Sequence, residues 1–152
     1  MRIVDVPSYS KEHRPDLDAF LARPLFAHLA TSSPDGPRDS PVWFLWEDRA
    51  IWIISNASDS FWKRVDADPR CAIGIVDFDK SSGLVQHVGM RGRAYVQDWE
   101  PQRASRLLTR YLGSDKACWD PRFKVTLDEQ SNRWVRFVPE TVVVRDQSYT
   151  IG

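Results

Sequence analysis

The 152-residue chain has little of what a self-contained catalytic centre needs. It has two cysteines, Cys71 and Cys118, far apart in sequence. They make neither a disulfide framework nor a thiolate pair for a metal, and a reducing cytoplasm is the expected compartment. The three histidines, His13, His28 and His87, form no H-x-x-x-H, and there is no C-x-x-C. Asp77 and Asp79 do not make a Ca²⁺ loop. Asp16/Asp18 and Asp66/Asp68 read as solvated charges at helix ends. G-x-S-x-G and G-x-G-x-x-G are both missing, and GMRG (89–92) falls inside a strand pattern, where it cannot cradle phosphate. Net charge is also absent, 21 Lys+Arg balancing 21 Asp+Glu. Without a basic field, non-specific nucleic-acid binding is a poor expectation. No apolar run approaches the roughly 20 residues of a membrane helix. The opening MRIVDVPSYSKEHRP lacks the continuous apolar stretch of a signal peptide. With no catalytic constellation of its own, an enzyme of this sequence would borrow its chemistry from a bound cofactor.

Aromatic and apolar residues are plentiful. Seven Trp, 12% aromatics and 42% hydrophobics suffice for one packed domain over 1–152, with residues 1–14 as a polar lead-in. Sixteen of the 21 cations are Arg. The guanidinium fork suits phosphate and carboxylate, although codon bias accounts for the same count.

The patterning predicts a short helix after Pro15, carrying Leu17, Phe20 and Leu21 and ended by Pro24. LFAHLATS (25–32) alternates as a strand, and PDGP (34–37) is a turn. DSPVWFLW (39–46) and AIWIIS (50–55) read as strands about a tight turn, with Pro41 marking an edge or bulge. SDSFWKRVDADPR (58–70) reads as a helix capped by Ser58 or Asp59 and stopped at Asp68-Pro69. CAIGIVDF (71–78) and LVQHVGMRGRAYVQ (84–97) are strands, the second bent near Gly89 or Gly92. Asp98 reads as the cap of a helix, EPQRASRLLTRYL, that stops at Gly113. CWDPRFK (118–124) reads as irregular, and RWVRFVP (133–139) and TVVVRD (141–146) as two closing strands. About seven strands in hairpin order and few helices predict a mainly β protein, an antiparallel barrel with peripheral helices.

Three segments could hold a phosphorylated aromatic cofactor. Ser55, Asn56, Ser58 and Ser60 precede Lys63 and Arg64, an anion site or simply a solvated helix face. Ser40-Pro41-Val42-Trp43 is an interrupted strand, with main-chain groups free for a heterocycle's polar edge or belonging to an ordinary edge strand. His87, Arg91 and Arg93 lie at strand spacing, Arg91 and Arg93 sharing one face.

The order LATSSPDGPRDSPVWF, IWIISNASDSFWKR, DADPRCAIGIVDF, VGMRGRAYV, RLLTRYLG, RWVRFVPETVVV resembles the pyridoxamine 5'-phosphate oxidase-like proteins of the FMN-binding split β-barrel superfamily. The likeness runs from about Phe20 to Asp146. It implies a six-stranded antiparallel split β-barrel and a homodimer, with FMN or the deazaflavin F420 in a cleft between subunits. The residues matching the cofactor strand are Arg38, Asp39, Ser40, Pro41 and Val42. Ile53, Ile54, Ser55 and Asn56 match the second strand and the start of the phosphate segment. Lys63 and Arg64, assisted by Ser60, match the phosphate cations, although many members have their Lys nearer Phe61. The strand containing Gln86 and His87 resembles one that reaches the flavin, sometimes from the partner chain. Trp134 and Arg136 resemble the W-x-R end of the true oxidases, but the rest of their C-terminal substrate pattern is missing, so vitamin B6 oxidation is not expected. The expectation is an FMN-dependent oxidoreductase acting on a small molecule. The alternatives are an F420-dependent reductase and a non-catalytic flavin- or haem-binding module. Trp43, Trp62 and Trp119 are candidates to line the cleft, or else to pack in the core.

Overall fold

The computed structural model describes residues 1–4 and 15–152. His13 and most of the predicted lead-in lie outside the described residues. One eight-stranded sheet dominates. Its strands are β1 (Arg2–Val4), β2 (Ala27–Thr31), β3 (Arg38–Val42), β4 (Leu45–Glu47), β5 (Ala50–Ser55), β6 (Arg70–Asp79), β7 (Leu84–Gln97) and β8 (Arg133–Asp146). The order is β3-β2-β6-β7-β8-β5-β4, with β1 added in parallel to β8. All other pairs are antiparallel. The two ends of this path, β3 and β4, are consecutive in the chain, so the sheet curls into a barrel whose wall is split where one becomes the other.

Alternation explains the curl. Ala27, Leu29 and Thr31 point inward from β2, while His28 and Ala30 point out. Leu29, Ile51, Ile53, Ile73, Ile75, Val88, Met90, Val135 and Phe137 fill the interior with Phe20, Leu21 and Phe44. The helices α1 (Leu17–Leu21) and α2 (Phe61–Ala67) add to this core through Phe20, Leu21, Phe61 and Val65. A second core lies outside the barrel wall. There α3 (Pro101–Leu112) and α4 (Pro121–Asp128) cover β4, β5 and β8, with Trp52, Trp134, Trp119, Leu107 and Leu108 buried between them.

The fold class matches the expectation; the strand count does not, eight standing where six were implied. Residues 2–4, assigned to the lead-in, form a strand beside β8. The 39–46 segment is broken at Trp43-Phe44 into β3 and β4. The two predicted closing strands are a single strand, β8. Pro139 is accommodated because it faces Gly92 at a bulge, where the register shifts between Arg91 and Gly92. Residues 121–128 are helical, although 118–124 reads as irregular, with Pro121 in the first turn and the Asp120 carboxylate accepting from the Arg122 N–H. Neither Ser58 nor Asp59 caps α2. Ser60 takes that position, and Asp59 accepts the Asn56 N–H instead.

Candidate functional site

The split in the wall is a cleft. The β4–β5 ladder ends at Leu45–Trp52. Beyond it β5 runs on through Ile53, Ile54 and Ser55, paired only with β8. The resulting gap of about 300 Å³ is lined by Pro41, Val42 and Trp43 on one edge and Ile54, Asn56 and Asp59 on the other, the Asp59 carboxylate being held by the Asn56 N–H. Phe61 contributes from α2, Leu107 and Leu108 from α3, and Phe123 and Thr126 from α4. A shallower depression of about 570 Å³ continues past Phe26 and Arg122. The walls are mostly apolar and aromatic with a few polar groups, as in most small-molecule sites.

Along β3 from the cleft, the inward positions are Val42, Ser40 and Arg38, opposite Ala27, Leu29 and Thr31. Ser40 meets Arg64. The Arg64 guanidinium donates from Nε to Thr31 Oγ1 (2.8 Å), from Nη1 to Ser60 Oγ (2.8 Å) and from Nη2 to Ser40 Oγ (3.3 Å). Among the described ion pairs no carboxylate neutralises Arg64 or Arg38. Burial, and then the neighbouring Arg38 charge, push the Arg64 pKa down. A cation held among three hydroxyls with a second cation beside it is a setting in which an added anion relieves repulsion.

The remaining predicted residues are distributed differently. Lys63 is exposed and lies over the Trp62 ring at 5.6 Å, with Arg133 over the same ring at 5.0 Å. Asp39 points to the outer face and pairs with His28 (3.1 Å). Ile53 points into the barrel core, where its side chain is unavailable to a ligand. Ser55 is fully buried, and its hydroxyl has no hydrogen-bond partner. His87 lies on the outer sheet face, against Gly74 and Gly89, in a basin that Arg91 also lines. The structure does not bring it to the cleft within one chain. Gln86 points the other way and bonds Asp146. Trp134 is completely buried, stacked on Trp99 (5.2 Å), and Trp119 is packed in the same outer core. Both serve packing. Trp43 does line the cleft, stacked on Tyr111 (4.5 Å, 1° between planes) and on Phe123 (5.4 Å).

Sequence reading missed Thr31, Leu107, Tyr111, Phe123 and Thr126. Thr31 continues the inward alternation of β2, so its position was readable; its bond to Arg64 was not. Phe123 was hidden because 118–124 reads as irregular, and Thr126 because 125–128 is assigned no element.

A sequence profile described as pyridoxamine 5'-phosphate oxidase matches residues 14–146. No curated protein sequence matches the chain. Solved structures share the fold. One is the conserved hypothetical protein Rv2991 from Mycobacterium tuberculosis, at TM-score 0.71 and 21% identity, covering 97% of this chain and 98% of that one. A protein named F420 reductase gives 0.64 at 22% identity, over 84% and 97%. HutZ, the haem storage protein from Vibrio cholerae, gives 0.61 at 12% identity, over 82% and 88%. Identities this low speak for the fold alone. The split barrel and a profile match over nearly the whole chain agree: the chain belongs to the pyridoxamine 5'-phosphate oxidase family.

Proposed function

We propose that the protein is a flavin-binding oxidoreductase that holds FMN with its ring in the β3–β5 cleft and its phosphate at Arg64. The observation that carries this reading is the unneutralised Arg64 among the hydroxyls of Thr31, Ser40 and Ser60, adjoining an apolar, aromatic cleft. The donor set suits a phosphate, which accepts from guanidinium and hydroxyl alike. The cleft walls suit a flat ring. A bound flavin supplies hydride or electron transfer. The chain's own part is to bind and orient. Arg64 and Arg38 attract the anion, Ser40 and Ser60 fix its position, and Val42, Phe61, Leu107 and Leu108 exclude water from the ring. Among the described residues no helix lines the basin of about 680 Å³ whose floor Ala30, Ala72, Gly74 and Gly89 form on the outer face of β2, β6 and β7. This supports a homodimer in which that face meets a second copy, bringing His87 toward the partner. Among the described residues no helix is long and apolar enough to cross a membrane, and a cytoplasmic location is part of the proposal.

An F420-dependent reductase is the second reading. Lys63 and Arg133, both exposed and flanking Trp62, offer cationic surface to a longer acidic cofactor tail.

The visible spectrum of the purified protein, with parallel FMN and F420 titrations, tests both. FMN is expected to bind. Arg64→Ala should weaken it by roughly 1.5–3 kcal/mol, tenfold or more, the worth of a charge-assisted hydrogen bond. Lys63→Ala should leave FMN affinity within about twofold and weaken F420 if that reading holds. A protein that takes up neither cofactor ends the proposal.

A further inference from the structure

The cleft exists because a ladder stops early. The β4–β5 register pairs Leu45 with Trp52. Continued in the same register, it would put Phe44 opposite Ile53, Trp43 opposite Ile54, and Pro41 opposite Asn56. Instead, Trp43, Ile54, Pro41 and Asn56 line the gap. At the far end of this stretch pairing is discouraged locally. Pro41 has no N–H to give, and the Asn56 N–H is taken by Asp59 Oδ2 at 2.7 Å. At the near end the obstacle is α3. The Tyr111 hydroxyl accepts from the Phe44 N–H (3.1 Å) and donates to the Leu25 carbonyl (2.6 Å). Arg110 donates from Nη1 to the Phe44 carbonyl (2.7 Å), and from Nη2 to the carbonyls of Leu21 (3.0 Å) and Arg23 (2.7 Å). Both main-chain groups of Phe44 are therefore bound by side chains of one helix turn. Those side chains also grip the segment linking α1 to β2. The same Tyr111 ring lies flat against Trp43, the next residue into the cleft.

We propose that Tyr111 and Arg110 are positioning residues for the ring-binding half of the site: they clamp Phe44, keep β3 and β4 from merging into one strand along β5, and set the Trp43 wall. The inference deepens the cofactor reading above and rests on it for the identity of the ligand. It gives the Arg-Tyr pair in RLLTRYLG a physical task. A polar pair at this depth is otherwise a costly choice, since burial opposes the charge on Arg110 and its Nε finds no partner. Neither side chain is assigned a contact with the ligand; they act through Phe44 and Trp43.

The decisive variant is Tyr111→Phe, which keeps the stacked ring and removes only the hydroxyl. Two measurements accompany it. Hydrogen exchange on ligand-free protein reads the Phe44 amide, which should exchange at least about tenfold faster than in the wild type while β6 and β7 amides hold their protection. Titrations with FMN and with riboflavin, which has the same ring and no phosphate, read the site. Both should weaken by a similar factor, about fivefold to tenfold, because the defect is at the ring. Arg64→Ala should weaken FMN and spare riboflavin. Arg110→Lys, which keeps a cation but loses the fork, should repeat the pattern if Tyr111→Phe folds poorly. An unchanged Phe44 exchange rate overturns the clamp. Faster exchange with unchanged binding of both flavins makes the pair merely structural and overturns the positioning role. If wild-type protein binds neither flavin, the cofactor reading falls, and the exchange rate alone decides the clamp.

Discussion

Arg64 shows how a side chain acquires a role from its neighbours. Its three hydroxyl partners come from β2, β3 and the start of α2, and none carries charge. Lys63, adjacent in sequence, points away to Trp62. Neighbouring positions on a helix are turned by about 100°, so only one of the two can face the barrel mouth. The sequence named the pair, and it could not choose between them. His87 gives a second residue-scale prediction. Burial, then the Arg145 charge opposite it, lowers its pKa below the usual 6.5. The same basin contains Arg2, Arg91, His28 and Asp39. The fold favours neutral imidazole, so the unfolded chain takes up the proton first. This contribution to stability is whole above about pH 6.5 and is lost as pH falls through the folded value. His87→Gln should therefore flatten the fall in denaturation midpoint between about pH 7.5 and 5.5. An unaltered slope would assign that fall to other groups.

At the scale of elements, the strands were legible where alternation was strict. Ala27, Leu29 and Thr31 on β2 announced their face, and so did the apolar run of β6. Breaks between elements were less legible, because tertiary partners made them. Trp43-Phe44 reads as mid-strand by composition, yet α3 pulls it out of the ladder. Pro139 reads as a strand end, yet a bulge carries the strand through it. Gly92 is the residue that permits this. A Cβ there would run into the Val138 carbonyl and crowd Pro139 Cα. Gly92→Ala should cost about 1–3 kcal/mol or more, because main chain cannot yield as a flexible side chain can. Urea denaturation of the variant checks this. A loss below about 0.5 kcal/mol would mean that the bulge relaxes freely. The α4 helix was missed for another reason. Its eight residues have none that is fully buried, so no apolar periodicity marks it, and its Asp-Pro start was the one available sign.

Across the whole molecule, two cores share one wall. The barrel interior is built mainly from aliphatic residues and phenylalanine, while the outer core between the wall and α3–α4 is rich in tryptophan. Five of the seven Trp, Trp43, Trp52, Trp99, Trp119 and Trp134, belong to that outer core or pack against it, Trp99 stacking on Trp134. The helices cover one side of the barrel, and the basin of small residues lies on strands β2, β6 and β7 of the other. A homodimer through that face should give twice the 17.6 kDa chain mass by light scattering. Ala72→Trp, placed on the basin floor opposite Arg91, should return the monomer, since its bulk would hold the two faces apart. A wild-type monomer that binds FMN would contradict the shared cleft.

The sequence by itself determined the class of the fold and the segments that matter. Period-two alternation, turn residues and helix stops are local, and local chemistry survives any arrangement of the rest. The sequence also contains no H-x-x-x-H, C-x-x-C or G-x-S-x-G motif. Only the tertiary structure decided which of those segments meet. The cleft is the space left where β5 outruns β4. Its phosphate candidate is Arg64, a helical cation turned toward the hydroxyls of β2 and β3. Its opening is held by a helix more than sixty residues away. Such features arise from contacts between distant parts of the chain, and no short-range pattern records them.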